Sequence, residues 1–244
     1  MTQRRFQAFV LLPLLFVIPT ASAVAAGCVP QNSASILAAK SIGDVYNQLA
    51  SDGDERLASY FVKADAINPA YAYTVQVHES AYDTQHGGPF TYTGVHTISG
   101  QTIFVSSFVA TEQTAEARAA RCIIPSLGIY AGIGLVRTAA NVHYPLGYSH
   151  LLGAGIGLER FPIPGRRFDV FGALYWYPAA FGDYGGTNLF YTIATFDGGL
   201  RWRLGSSDAG FIVGLYQEMR SLHPGARVGQ TVRVAPYIGF ELSR

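Results

Sequence analysis

The sequence predicts a mainly β protein: an antiparallel up-and-down transmembrane β-barrel of about eight strands, preceded by a short helical or small α+β N-terminal region. Three observations carry that expectation. From residue 126 onward, apolar side chains recur at every second position, the period of a strand with two unlike faces. The alternating segments run for roughly 11 to 15 residues, longer than the five or six of an ordinary strand and close to what a tilted strand needs to cross a bilayer. Beyond the N-terminus no apolar run approaches the roughly 20 residues of a membrane helix. A chain like this can cross lipid only as a closed barrel, where every backbone polar group finds a partner.

The elements follow in chain order. Arg4 and Arg5 precede an apolar run from Phe9 to Ile18, and Ala21-Ser22-Ala23 and Ala23-Val24-Ala25 then offer small-residue cleavage sites. That layout is a secretory signal peptide over 1–26. Next come two helical spacings. Ile42, Val45, Tyr46 and Leu49 recur at i, i+3, i+4, i+7, and Leu57, Tyr60, Phe61 and Ala64 repeat the pattern across Asp52-Gly53-Asp54. Strand patterns follow at 71–79, 90–98 and 101–110, with His86-Gly87-Gly88-Pro89 as a turn signal. Alanine-rich 112–120 reads as a third helix. Two arrangements fit this half. Either 71–79 and 101–110 join the barrel and bring it to eight strands, or 33–121 is a small α+β domain. The division drawn is 27–121 as an N-terminal periplasmic region and 122–244 as the barrel. Charge supports a boundary there: 29–120 hold nine acids and four bases, whereas 121–244 hold seven acids, eleven arginines and no lysine.

Six barrel strands are read from 126 onward. In 127–137, Ile129, Ala131, Ile133 and Leu135 oppose Tyr130, Gly132 and Gly134. In 148–160, Leu152, Ala154, Ile156 and Leu158 oppose Gly153, Gly155, Gly157 and Glu159. In 168–177, Phe168, Val170, Leu174 and Trp176 oppose Asp169, Tyr175 and Tyr177. The last three segments, 190–204, 209–220 and 228–242, alternate in the same way. Compact turns at 161–166 and 205–208 alternate with longer links at 138–147, 179–188 and 221–227. This is the asymmetry expected between the periplasmic and outer ends of such a barrel. Trp202, Phe211 and Phe240 fall near the inner interface, and Trp176 and Phe190 near the outer one, as an aromatic girdle requires.

Residues 126–244 resemble the small outer-membrane β-barrel proteins of diderm bacteria. The resemblance lies in the pattern of strands, girdles and turns and not in a fixed motif. It implies a lipid bilayer and the barrel-assembly machinery as partners, with other envelope components beside them, and an outer-membrane location. The alternative is a soluble periplasmic ligand-binding β-protein, lipocalin-like, with the apolar faces turned inward. Members of the resembled class usually end on an aromatic residue, whereas this sequence ends Phe240-Glu241-Leu242-Ser243-Arg244.

Candidate functional residues are few. Cys28 and Cys122 are the only cysteines. They suit a disulfide in an oxidising compartment, although Ala25-Ala26-Gly27-Cys28 also resembles a lipidation site, which would exclude that bond. Glu159, Asp169, Asp197, Arg201, Arg203, Glu218, Arg220, Arg233 and Glu241 all fall on the inferred inner face. Buried charges need partners, and these nearly balance, so they form a candidate lumen charge network. No catalytic motif, metal-ligand spacing or cofactor fingerprint is present. Six histidines are scattered, and His78 would approach His96 only if their strands paired. Near-zero net charge gives no sign of a nucleic-acid partner. The expected role is non-enzymatic: structural, adhesive or a narrow channel, with no cofactor and no metal. A membrane-lipid-modifying enzyme using Ser149-His150 at the outer rim is a third reading.

Overall fold

The computed structural model describes residues 27–42, 44–48, 55–82, 90–96, 102–143, 148–163, 166–184, 187–205, 208–222 and 231–244. The expected signal peptide and the turn at 86–89 lie outside the described residues. The strands are β1 (Ser33–Ser41), β2 (Asp44–Gln48), β3 (Glu55–Ile67), β4 (Tyr71–Tyr82), β5 (Phe90–His96), β6 (Thr102–Ile124), β7 (Ile129–His143), β8 (Tyr148–Arg160), β9 (Phe168–Tyr184), β10 (Thr187–Arg203), β11 (Ala209–Leu222) and β12 (Thr231–Ser243). All pairings are antiparallel. β1 and β2 occupy one position in turn, each pairing with both β12 and β3, and this closes the sheet on itself. β5 pairs with β6 alone among the described strands. The result is a closed barrel of ten strand positions, where about eight were expected.

The two additional positions are β3 and the one that β1 and β2 share. Residues 57–64, read as helix, lie within β3, and 44–48 form β2; 112–120, also read as helix, continue β6 beyond its 101–110 strand pattern. The division at 121/122 falls inside β6, and strands from both halves of the chain close the same barrel. The 71–79 and 101–110 patterns do lie in strands, β4 and β6.

A walk along paired residues gives the stagger. It starts at Phe168 of β9 and passes through Trp202, Phe211, Phe240, Ala38, Val62, Val77, Ala115, Arg137 and Leu152. It returns to β9 at Phe181, 13 residues further along the strand. A ten-strand barrel with that stagger tilts its strands by roughly 40°. Register shifts on both sides of Pro178 mark a bulge, where a residue without an N–H cannot serve the ladder.

The two ends of the barrel differ. Both described chain ends and the turns at 68–70, 125–128, 161–167 and 204–208 lie at one end, with Gly128 and Gly205 in the left-handed conformation their turns require. Two of the longer links read from the sequence are shorter than expected, because β7 to β10 run on until four residues separate β7 from β8 and two separate β9 from β10. Beyond the opposite end, residues 102–107 of β6 pair only with β5 among the described strands. A two-stranded hairpin therefore continues past the barrel wall.

The faces divide sharply. Outward positions are apolar and exposed: Val62, Val75, Ile133, Leu135, Ile156, Val170, Leu174, Leu200, Val213 and Ile238 among them. Inward positions are buried and largely polar or aromatic, with aliphatic residues such as Leu37, Val136, Leu151, Ile193 and Ile212 among them. This arrangement is the inverse of a lipocalin-like cavity, whose apolar faces would turn inward.

Candidate functional site: the polar interior

The floor of the barrel is built first, at the short-turn end. Cys28 and Cys122 form a disulfide, with Cα atoms 5.6 Å apart. A bonded Cys28 cannot also carry a lipid thioether, so the lipidation reading is set aside. The bond draws residues 27–31 under the barrel. There the Cys28 N–H donates to the Pro69 carbonyl at 3.0 Å. Cys28 and Val29 pack with Ile67, Ala72, Ala120, Tyr130 and Phe161, all buried. The Tyr130 hydroxyl donates to the Asn68 carbonyl at 2.9 Å, and its ring meets Phe161 edge-on.

Beside this floor, Asp169 fastens the β8–β9 turn. Its carboxylate accepts the N–H groups of Ile163 at 2.7 Å and Val170 at 2.9 Å, and it pairs with Arg160 at 2.8 Å. Arg201 meets Glu241 at 3.2 Å. Half-buried Arg203 reaches exposed Asp208 at 3.4 Å. A cleft of about 180 Å³ opens between these pairs and Gln31 and Asn32.

The middle level centres on residues that the sequence reading had placed outside the barrel. Lys63 lies 3.8 Å from Asp65 and 3.5 Å from Asp197. Asp65 accepts the Thr74 hydroxyl at 2.8 Å, and Asp197 accepts the Tyr237 hydroxyl. Arg118 pairs with Glu116 at 2.8 Å and lies over the Tyr175 ring, 4.7 Å from its centroid. Glu116 also accepts the hydroxyls of Tyr177 at 2.7 Å and Thr195 at 3.2 Å. Glu159 accepts the Tyr175 hydroxyl and the Thr74 hydroxyl. Charge-assisted hydrogen bonds of this kind are what allows ionised groups to sit away from water.

Higher still, Glu218 pairs with Arg220 and accepts the Tyr216 hydroxyl at 2.9 Å and the Thr114 hydroxyl at 3.4 Å. Arg233 donates to the Ser59 hydroxyl at 2.6 Å. His78 stacks on Phe61 with ring centroids 4.1 Å apart and leans on Tyr216. Gln76, His78 and Glu116 are 1–2% exposed, as closely packed as the surrounding tyrosines. Space for those rings comes from inward glycines. A Cβ at Gly214 would meet the Tyr237 ring, one at Gly155 the Tyr177 ring and one at Gly157 the Tyr175 ring.

Of the nine charges read from the sequence, eight are buried inside the barrel and Arg203 sits at its mouth. Among the described residues, Arg201–Glu241 and Glu218–Arg220 pair within the set, and the others take Lys63, Arg160, Asp208, Thr74, tyrosines or Ser59. Sequence reasoning missed Lys63, Asp65, Glu116 and Arg118, which lie on β3 and β6, and gave Gln76 and His78 of β4 no place in the interior. A period-two signal does exist on β6: Thr114, Glu116 and Arg118 alternate with Ala115, Ala117 and Ala119. His78 and His96 are not brought together; their rungs on β6 are Thr114 and Thr102. His150 is exposed on the outer wall opposite Ala139.

On that wall, Phe168, Trp202, Phe211 and Phe240 are consecutive cross-strand neighbours near the short-turn end, and all are exposed. At the other end Phe190 meets Phe181 edge-on, with centroids 4.9 Å apart. Trp176 lies five residues nearer the middle than Phe181, deeper than a position in the outer girdle requires.

No family model matches the sequence, and no curated protein matches it. Among solved structures the chain is similar to the outer membrane protease OmpT from Escherichia coli at 9% identity, over 92% of this chain and 100% of that one, with a TM-score of 0.48. It is similar also to the Neisserial surface protein A at 10% identity, over 86% of this chain and 96% of that one, with a TM-score of 0.38.

Proposed function

We propose that this chain is an outer-membrane barrel that anchors and displays, closed to permeation and without catalytic activity. The single observation behind the reading is the inversion of faces: bulky apolar side chains outside, ion pairs and tyrosines packed inside. An exterior of that kind is stable only against lipid, because soluble monomers rarely expose continuous apolar patches beyond a few hundred Å². Aromatic rows near both ends of the apolar wall support the same reading.

Anchoring is favoured over conduction by the packing of the interior. Lys63 meets Asp197, Glu116 meets Tyr177 and Thr195, and Glu159 meets Thr74 at bonding distance across the lumen, and a conducting pore needs such groups held apart by water. A non-enzymatic role is favoured because each interior carboxylate described accepts from an arginine, lysine, threonine or tyrosine. Each is held by at least one such partner, although Glu116 Oε1 and Glu241 Oε2 accept no hydrogen bond from the described residues. The β5–β6 hairpin, on the end away from the termini, is what such an anchor would display.

The experiment is fractionation followed by reconstitution. The protein should resist urea extraction from membranes and run faster on gels unheated than boiled. Proteoliposomes containing it should swell in small sugars no faster than empty ones. Release by urea with no mobility shift would remove the membrane reading. Rapid swelling would replace the anchor with a channel. A point variant tests the outer wall directly. Ile133 is the central outward residue of the β7 run from Ile129 to Arg137 and is 66% exposed. Ile133→Arg should cost about 2–4 kcal/mol of stability in lipid, as charges at a bilayer midplane do. Chemical unfolding in vesicles reads this, and an unchanged midpoint would mean that Ile133 does not face hydrocarbon.

A further inference from the structure

The outer wall changes character at the short-turn end. Arg121 is exposed there on the outer face of β6, beside Tyr71 of β4. Arg166 and Arg167 are exposed in the β8–β9 turn, and Arg244 is exposed after β12. In the order of strands round the barrel these positions fall at β6, between β8 and β9, and at β12. They are spread round the rim and do not form a single patch. Two of them adjoin aromatic wall, Arg121 beside Tyr71 and Arg167 beside Phe168. Arg167 lies over the Phe168 ring at 5.8 Å, and Phe168 begins the row through Trp202 and Phe211 to Phe240.

Little acid offsets these charges. Asp208 is taken by Arg203, and Asp169 by Arg160, with Arg166 at a looser 3.9 Å.

We propose that Arg121, Arg166, Arg167 and Arg244 form a collar that binds the phosphate groups of anionic phospholipid in the leaflet at the short-turn end. The inference rests on the membrane reading above. Guanidinium groups hold phosphate in a planar, two-pronged fashion, and arginine carries its charge at any physiological pH. The Arg121 and Arg167 stems can lie along the wall beside Tyr71 and Phe168 while their heads reach the headgroup layer. Basic groups at a bilayer surface attract anionic lipid within a Debye length. An anionic cell-wall polymer is less well matched, because Arg121 points sideways from the wall beside Tyr71 and not out of the barrel mouth.

The test uses the full chain refolded into phosphatidylcholine vesicles with trace spin-labelled phosphatidylglycerol or spin-labelled phosphatidylcholine. Electron spin resonance gives the fraction of each label held at the protein surface. The anionic label should be favoured about threefold or more at low salt. The preference should fall toward parity at about 1 M salt, where screening acts within about 3 Å. The combined variant R121Q/R166Q/R167Q/R244Q should lose the preference and keep the heat-dependent gel shift. R137Q, at the opposite edge of the wall, should keep both. Equal association of the two labels with the parent protein would overturn the collar while leaving the barrel intact. So would salt-sensitive binding to isolated cell-wall polymer that the combined variant loses with no change in lipid preference. Absence of the gel shift in phosphatidylcholine would instead remove the membrane reading beneath it.

Discussion

Arg118→Met should destabilise the barrel by about 3–5 kcal/mol, the usual cost of removing one partner from a buried ion pair. Arg118 and Glu116 both lie almost wholly out of solvent, and Arg118 also covers the Tyr175 ring. Methionine fills similar volume, so the loss reads the uncompensated Glu116 carboxylate and not a cavity. The informative comparison is the double variant Glu116→Leu with Arg118→Met. It removes both charges and should recover much of the loss, because desolvating the pair offsets most of the gain from its attraction. Full recovery is not expected, because Tyr177 and Thr195 donate to Glu116 and would lose their acceptor. Each buried hydroxyl left unsatisfied costs about 1–3 kcal/mol. Adding Tyr177→Phe should therefore stabilise the double variant, although the same change destabilises the parent. Guanidinium unfolding in detergent micelles, followed by the heat-dependent gel shift, measures all four. A single variant within about 0.5 kcal/mol of the parent would mean that water reaches Glu116 and that the interior is not packed.

The visibility of this core in the sequence depended on what stood outside it. β7 to β12 were legible because their outward residues are bulky: Ile133, Leu135, Leu174, Trp176, Val213 and Phe240 set a clear period of two. β6 alternates just as strictly, but its outward residues are alanines. Alanine is the strongest helix former, so Glu112–Ala120 reads as helix by propensity even while Thr114, Glu116 and Arg118 mark every second position. β3 fails for another reason. Phe61 and Ile67 point inward and Tyr60 and Val62 outward, so apolar residues occupy both faces and Leu57, Tyr60, Phe61 and Ala64 fall at helical spacing by coincidence. With β3 and the position shared by β1 and β2 unread, two strand positions were missing from the count of eight, and with 57–64 and 112–120 read as helix the interior set of Lys63, Asp65, Glu116 and Arg118 was hidden. The inward face of the last six strands was readable residue by residue. Its pairing was not, because contacts across a lumen depend on stagger: Lys63 meets Asp197 only through the closed geometry of ten tilted strands.

Removal of the disulfide should have an effect as large as loss of Arg118, through a different state of the chain. Cys28 and Cys122 are separated by 94 residues, a span containing β1 to β5 and nearly all of β6. Cross-linking a loop of that length removes about 4–5 kcal/mol of conformational freedom from the unfolded chain in the chain-entropy account. C28S/C122S should therefore lower stability by about 2–5 kcal/mol, the range seen when native disulfides are removed. Local contacts argue for the lower half of that range when reduction is mild. Val29 is buried among Ile67, Ala120 and Phe161, and the Cys28 backbone N–H is bonded to Pro69, so the floor retains some hold without the bond. The two contributions separate experimentally. Reductant should shift the unfolding midpoint of the parent and leave C28S/C122S unmoved. Val29→Ala should weaken both backgrounds by similar amounts, because it acts on the folded floor and not on the unfolded loop. A parent protein indifferent to reductant, with C28S/C122S equally stable, would mean that the bond constrains only residues 27–32 and that the barrel closes without it.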